Sequence, residues 1–137
     1  MVQKVVVTGI GATTPLGGDS KSTWQALLAG ESGVTTLTQE WVAQYELPVT
    51  FAGQAKVPAK EMLTPQEAKR LDPSSQLALV SAREAWLDAG SPEVAPERLA
   101  VEYATGIGGI WTLLDAYDTL KELSLIHISE PTRLLSI

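Results

Sequence analysis

Short predicted strands alternate along this chain with segments of helical periodicity. One is the β-branched run of residues 4–8, which ends at Gly9, and another covers residues 99–105 and ends at the glycine-rich stretch 106–109. A β-branched run followed directly by glycine is typical of a buried strand that enters a turn. A weaker alternating pattern predicts a further strand at residues 51–57. Because strands and helices that alternate over these lengths usually form a sheet covered by helices, we expect an α/β fold with a largely parallel sheet.

Capping patterns mark the start of two helices near the beginning and the middle of the chain. The first helix follows a loop of residues 9–18, and we expect Ser20 or Ser22 to cap it. In the second, Thr64 lies three residues ahead of Glu67, which is the spacing of a capping box. Both signals are local, so each predicts where a helix begins.

The longest predicted helix begins at Asp72, where an N-cap residue precedes Pro73 at the first helical position. Its apolar stripe consists of Leu79, Ala82, Trp86 and Ala89. We expect Trp86, and Trp24 on the first helix, to lie in the core. A last amphipathic helix is predicted to begin near Ile110, whereas residues 31–47 have no firm period and are predicted to be loop.

The composition excludes several kinds of chemistry. The chain has no cysteine and a single histidine, His127, so it contains no thiol nucleophile, and a histidine-based metal site or catalytic pair cannot be built within one chain. Its net charge of -6 argues against binding nucleic acid or an anionic membrane through a basic surface. Its apolar clusters are shorter than the ~20 residues that span a bilayer, and its amino terminus lacks the layout of a signal peptide. We therefore expect a soluble, cytoplasmic protein.

The glycines of residues 5–12 are partly compatible with a dinucleotide-binding turn. Gly9 and Gly11 occupy the first two glycine positions of that motif, but Thr14 occupies the third. Pro15 and the glycines after it delay the helix, so its amino terminus is not placed against a pyrophosphate. A dinucleotide-binding oxidoreductase is therefore the less favoured alternative, and the absence of a Gly-Lys-Ser/Thr sequence excludes a P-loop.

The second glycine-rich stretch, residues 106–109, has two interpretations. It is either a turn in which glycine lets the backbone pass close to a neighbour, or a pocket wall with Ile107 pointing into the pocket. Spacing alone favours the turn.

The character of the sequence changes at Leu123. Residues 123–133 continue neither the helical period before them nor a turn signal, and they resemble the in-frame translation of a transposase-type sequencing-library adapter. We expect residues 1–122 to be the amino-terminal part of a domain and residues 123–137 to be a non-native tail that takes no part in the fold. His127 lies in this segment and is given no role.

Taken together, the patterns resemble β-ketoacyl-acyl-carrier-protein synthases of the I and II group. The matching pieces are the opening strand and loop (residues 5–12 and 15–17), the first helix and its glycine turn (22–33), the next strand (51–53), the long helix (70–72 and 82–90) and the strand end Ala-Thr-Gly-Ile-Gly-Gly (104–109). Each piece is weak by itself, whereas the whole set in one order over residues 2–122 is specific.

The resemblance implies a thiolase-like fold, in which two similar α/β halves each contain a five-stranded sheet and the protein dimerises through its sheets. This chain would hold an incomplete part of the amino-terminal half. The implied activity is elongation of acyl chains in fatty-acid biosynthesis, by decarboxylative Claisen condensation with malonyl-acyl-carrier protein. A cysteine that becomes a thioester, two histidines and an oxyanion hole carry that chemistry in the family, and no cofactor or metal is called for. These catalytic residues lie beyond residue 122, so we expect the chain itself to be inactive.

One site residue is carried over from the family. In the synthase II group, the residue at the position of Ile107 lines the bottom of the acyl pocket and gates longer chains. The resemblance also implies acyl- and malonyl-loaded carrier protein as partners of the intact homodimer. A non-catalytic chain-length partner of a polyketide synthase remains an alternative, because its amino-terminal half would look similar. A nucleophile cysteine beyond residue 122 would favour the enzyme, and a glutamine in its place would favour the partner.

Overall fold

The computed structural model describes residues 4–122 of the chain. Over this range the backbone forms short helices and a small sheet, joined by extended segments and two 3₁₀ turns at Ala59–Glu61 and Pro96–Arg98. In chain order the elements are α1 (Ser20–Leu28), β1 (Val34–Thr36), α2 (Glu40–Gln44), β2 (Phe51–Gly53), α3 (Pro65–Arg70), α4 (Pro73–Asp88) and α5 (Ile110–Glu122).

The sheet differs from the expected one. Strands β1 and β2 pair antiparallel, with Thr35 opposite Ala52, and they form the only sheet in residues 4–122. The prediction of a largely parallel sheet is therefore wrong for this part of the chain, as are the strands predicted at residues 4–8 and 99–105. A strand needs a neighbouring strand to satisfy its backbone groups, and neither of these two segments pairs with one in residues 4–122.

Residues 31–47, predicted to be loop, contain strand β1 and the short helix α2. That prediction is wrong because both elements are too short to show a clear period in the sequence. Strand β2 begins where the strand at residues 51–57 was predicted, and it is shorter than expected.

The helix starts are determined by local capping chemistry. Helix α1 is capped by Asp19 rather than by Ser20 or Ser22, because the Asp19 carboxylate accepts a hydrogen bond from the Ser22 amide at 2.6 Å. Ser22 completes the capping box from the third helical position. The capping box at Thr64 and the cap at Asp72 are both confirmed.

Helix α4 is the element against which the glycine-rich segment of residues 9–12 packs. A Cβ atom on Gly9 would overlap the Ala85 carbonyl oxygen, and one on Gly11 would overlap the Ser81 carbonyl oxygen. Only glycine allows the two backbones to approach this closely. The Ile10 amide also donates a hydrogen bond of 2.9 Å to the Asp88 carboxylate. These glycines are therefore required for packing.

The core is thin. In the described part of the chain, the buried apolar side chains are Ala26, Val42, Ala59 and Val80. The prediction that Trp24 and Trp86 lie in the core is wrong, since they are 59% and 39% exposed. The predicted apolar face of α5 forms, but it is uncovered as well. No helix within residues 4–122 is both long and apolar enough to cross a bilayer.

Candidate functional site

Ile107 lies in the turn that precedes α5. The hydroxyl oxygen of Thr105 accepts hydrogen bonds from the amides of Ile107 at 3.3 Å and Gly108 at 2.7 Å, so the turn is closed from within. Gly108 has a φ of 82°, a left-handed conformation that favours glycine. The side chain of Ile107 is 77% exposed. Sequence spacing thus predicted the turn correctly, and the structure places an apolar side chain at its tip.

A single carboxylate joins this turn to the start of α4. One oxygen of Asp72 accepts hydrogen bonds from the amide and the hydroxyl of Ser74, at 3.0 and 2.9 Å, and so caps α4. The other oxygen accepts from the amide and the hydroxyl of Thr112, both at 3.1 Å, within the first turn of α5. Asp72 therefore caps two helices at once.

Helix α5 needs this distant cap because Gly109, the residue before its first turn, has no side-chain oxygen. The carboxylate lies close to Gly109, since a Cβ atom there would be 3.3 Å from Asp72 Cγ. The pKa of Asp72 is lowered from its usual value, chiefly by the hydrogen bond from the Ser74 amide and also by those from Thr112. Sequence reasoning identified Asp72 only as the cap of α4. The signal that could have indicated a second, distant cap was Gly109, which has no side chain to cap α5 itself.

Glu84, nearer the carboxyl end of α4, also joins distant parts of the chain, and the sequence did not predict this role. Its carboxylate accepts hydrogen bonds from the amide and the hydroxyl of Ser20, at 2.8 and 2.6 Å, and from the amide of Ala12 at 2.8 Å. Burial opposes ionisation of Glu84, but these hydrogen bonds outweigh it and lower the pKa of the carboxyl group. Glu84 thus fixes both the glycine-rich segment and the start of α1 to α4.

These contacts bear on the dinucleotide-binding alternative. The amides of Ile10 and Ala12, which a pyrophosphate would need as donors, already bind the carboxylates of Asp88 and Glu84. A phosphate at this position would therefore meet two negative charges. The geometry does not fit a dinucleotide site.

An open cleft of about 710 Å³ lies between α4 and the segment before the Ile107 turn. Its lining is mostly apolar and includes Gly11, Ala78, Leu79, Val101 and Tyr103. Ile107 is not among the lining residues. Within residues 4–122, no group of three histidine, cysteine, aspartate or glutamate side chains is arranged to hold a metal ion. The cleft therefore offers apolar contacts, and it contains no sulfur nucleophile because the chain has no cysteine.

The sequence matches the family described as beta-ketoacyl synthase, N-terminal domain, over residues 2–131. The chain belongs to this family, which confirms the resemblance drawn from the sequence. Membership implies the thiolase-like fold, although the small antiparallel sheet of residues 4–122 does not display its details.

Proteins named 3-oxoacyl-[acyl-carrier-protein] synthase 2 are among its relatives. The one from Mycobacterium tuberculosis strain H37Rv is 37% identical over 128 residues, covering 93% of this chain and 31% of the relative. The one from Mycobacterium leprae is 35% identical over 125 residues, covering 91% and 30%. The one from Staphylococcus aureus strain COL is 36% identical over 123 residues, covering 88% and 29%. The chain thus spans about a third of the length of the curated relatives it matches.

Proposed function

We propose that this chain is the amino-terminal part of a 3-oxoacyl-acyl-carrier-protein synthase. The complete protein would elongate acyl chains in fatty-acid biosynthesis, by decarboxylative Claisen condensation with malonyl-acyl-carrier protein. The observation that carries the proposal is the family match over residues 2–131, with the relatives' names in agreement. The proposal includes a thiolase-like fold of two similar α/β halves, a homodimer, carrier-protein partners and a cytoplasmic location.

The chemistry requires groups that this chain does not contain. A thiolate is suited to the reaction because it is both a good nucleophile and a good leaving group. The chain has no cysteine, so it cannot form the acyl thioester by itself. Its own contribution would be structural: it would position the apolar wall of the acyl pocket, and we propose that Ile107 is part of that wall. The exposed apolar side chain at the tip of a closed turn supports this role.

Residues 123–137 lie outside the described residues, and we propose that they are an adapter-derived tail. The family match extends to residue 131 and overlaps the beginning of this segment. Sequencing the source DNA across codon 122 tests the proposal. An uninterrupted genomic reading frame that encodes these same residues would refute it.

The same DNA supplies the complete reading frame for the functional test. The complete protein should take up an acyl group from acyl-carrier protein, seen as a mass increase, and release 3-oxoacyl product and carbon dioxide when malonyl-carrier protein is added. Replacing its nucleophile cysteine with alanine is the matched control and should abolish the mass increase. A glutamine at the nucleophile position, or no condensation by the unaltered complete protein, would contradict the proposed activity.

A further inference from the structure

We propose that Asp72 is a positioning residue for acyl-chain length, because its carboxylate fixes the turn that carries Ile107 to the start of α4. This inference rests on the proposed function. It adds a residue that lies far from Ile107 in sequence and is bonded to Ser74 and Thr112.

The turn that carries Ile107 is held differently on its two sides. Thr105 closes the turn on one side of Ile107, and on the other side the chain passes through Gly108 and Gly109 into α5. Two successive glycines resist bending poorly, so the turn needs an external anchor to keep one orientation. In the described part of the chain, the side chain that bonds the first turn of α5 from outside is Asp72.

The hydrogen bonds between Asp72 and Thr112 are charge-assisted. Both hydrogen bonds from Thr112 go to an ionised acceptor, and charge-assisted hydrogen bonds are stronger than those between neutral groups. Because the same carboxylate also caps α4, the turn is held in a fixed position relative to the longest helix of residues 4–122. Loss of the anchor would let the Ile107 side chain move away from the position that limits chain length. Longer acyl chains would gain most from that movement.

The experiment measures kcat/KM of the complete protein for a long and a short acyl-carrier-protein donor, and compares their ratio between variants. Asp72→Ala should shift the ratio towards the long donor by roughly tenfold, about the effect of one charge-assisted hydrogen bond. Ile107→Ala is the positive control and should shift the ratio in the same direction. The kcat for the preferred donor should stay within about twofold in Asp72→Ala, because a positioning role affects the fit of the acyl chain rather than the condensation step.

Asp19→Ala is the matched control, because Asp19 also caps a helix but has no contact with the Ile107 turn. It should lower stability without changing the ratio. Thr112→Val spares the cap of α4 and removes only the hydroxyl bond to Asp72, so it should shift the ratio partly even if Asp72→Ala fails to fold. Asp72→Asn keeps a single acceptor oxygen, so the ratio for this variant should lie between those of the unaltered protein and Asp72→Ala.

Two different failures are distinguishable. If the unaltered complete protein performs no condensation, both the proposed function and the role of Asp72 are wrong. If it is active and Ile107→Ala shifts the ratio, but Asp72→Ala and Thr112→Val leave the ratio as it is in Asp19→Ala, the positioning role alone is overturned. Amide hydrogen exchange of residues 105–112 gives a second readout: it should accelerate in Asp72→Ala and stay unchanged in Asp19→Ala.

Discussion

The chain of residues 1–137, expressed by itself, should not unfold cooperatively. The relatives are about three times as long, and the buried apolar side chains of residues 4–122 are four small or β-branched ones. Many large apolar side chains are exposed instead, among them Val5, Val101 and Trp111 at 95%, 85% and 60%. We expect the isolated chain to aggregate or to form a molten state.

The accessible surface area shows how much hydrophobic stabilisation the isolated chain lacks. The chain exposes 11,900 Å², whereas a compact monomer of 14.6 kDa exposes about 6,900 Å². Residues outside the described range would account for at most about 2,800 Å² even as a fully extended chain. An excess of about 2,200 Å² remains, and roughly half of it would be apolar. At about 25 cal/mol per Å², this forgoes roughly 30 kcal/mol of hydrophobic stabilisation, which is more than the whole stability of a typical domain.

The assay combines thermal melting by circular dichroism with two fluorescence measurements. The isolated chain should melt over a broad range and bind a dye that reports exposed apolar surface. The emission of its four tryptophans should resemble that of indole in water, since those at positions 24, 41, 86 and 111 are all exposed. The complete protein is the control: it should melt cooperatively, bind little dye and show tryptophan emission at shorter wavelength.

The opposite result would refute the reasoning. A monomeric isolated chain with one sharp thermal transition and no dye binding would show that residues 1–137 bury a sufficient core by themselves. The uncovered helix faces would then need another explanation.

Two further predictions concern single side chains in the complete protein. Glu84→Ala should lower the free energy of unfolding in urea by about 1–3 kcal/mol, since part-buried donors lose their charged acceptor. Asp88→Ala removes a single exposed hydrogen bond and should cost less than about 1 kcal/mol. Equal costs would contradict the role of Glu84. The pKa of Glu67 is lowered from 4.5 to about 2, foremost by the hydrogen bond from Arg83. Ionised Glu67 should therefore stabilise the folded state fully above about pH 4.5, and this contribution should disappear as the pH falls towards 2. Carboxyl NMR titration should show the Glu67 pKa rising towards 4.5 in Arg83→Gln, and an unchanged pKa would exclude the ion pair as its cause.

Local chemistry made part of the fold predictable from the sequence. The helix starts at Thr64 and Asp72 were predicted correctly because each cap side chain and the amide that donates to it lie within one turn of each other. The cap of α1 was predicted at Ser20 or Ser22, one or three residues after the actual cap, Asp19. All three are good capping residues, and only the structure shows that Ser20 bonds to Glu84 instead.

Features that depend on distant residues could not be predicted in the same way. A β-branched run at residues 4–8 indicates a strand, but pairing depends on a neighbour that the local sequence does not specify. Helical periodicity correctly placed the apolar side of α5, yet it could not indicate what covers that side. The turn at Ile107 was readable from its glycines. The second role of Asp72 was not, because its partner Thr112 lies 40 residues further along the chain.

The two carboxylates that join helices across long stretches of sequence affect the order of events during synthesis. The Ser20 amide at the start of α1 has its partner 64 residues later, in Glu84, so while the chain is being made that amide stays hydrated until most of α4 has left the ribosome. In the same way, the Asp72 carboxylate has no donor from α5 until Thr112 has been synthesised. A nascent chain that ends between residues 84 and 112 therefore contains the hydrogen-bond partner of Ser20 but not yet that of Asp72.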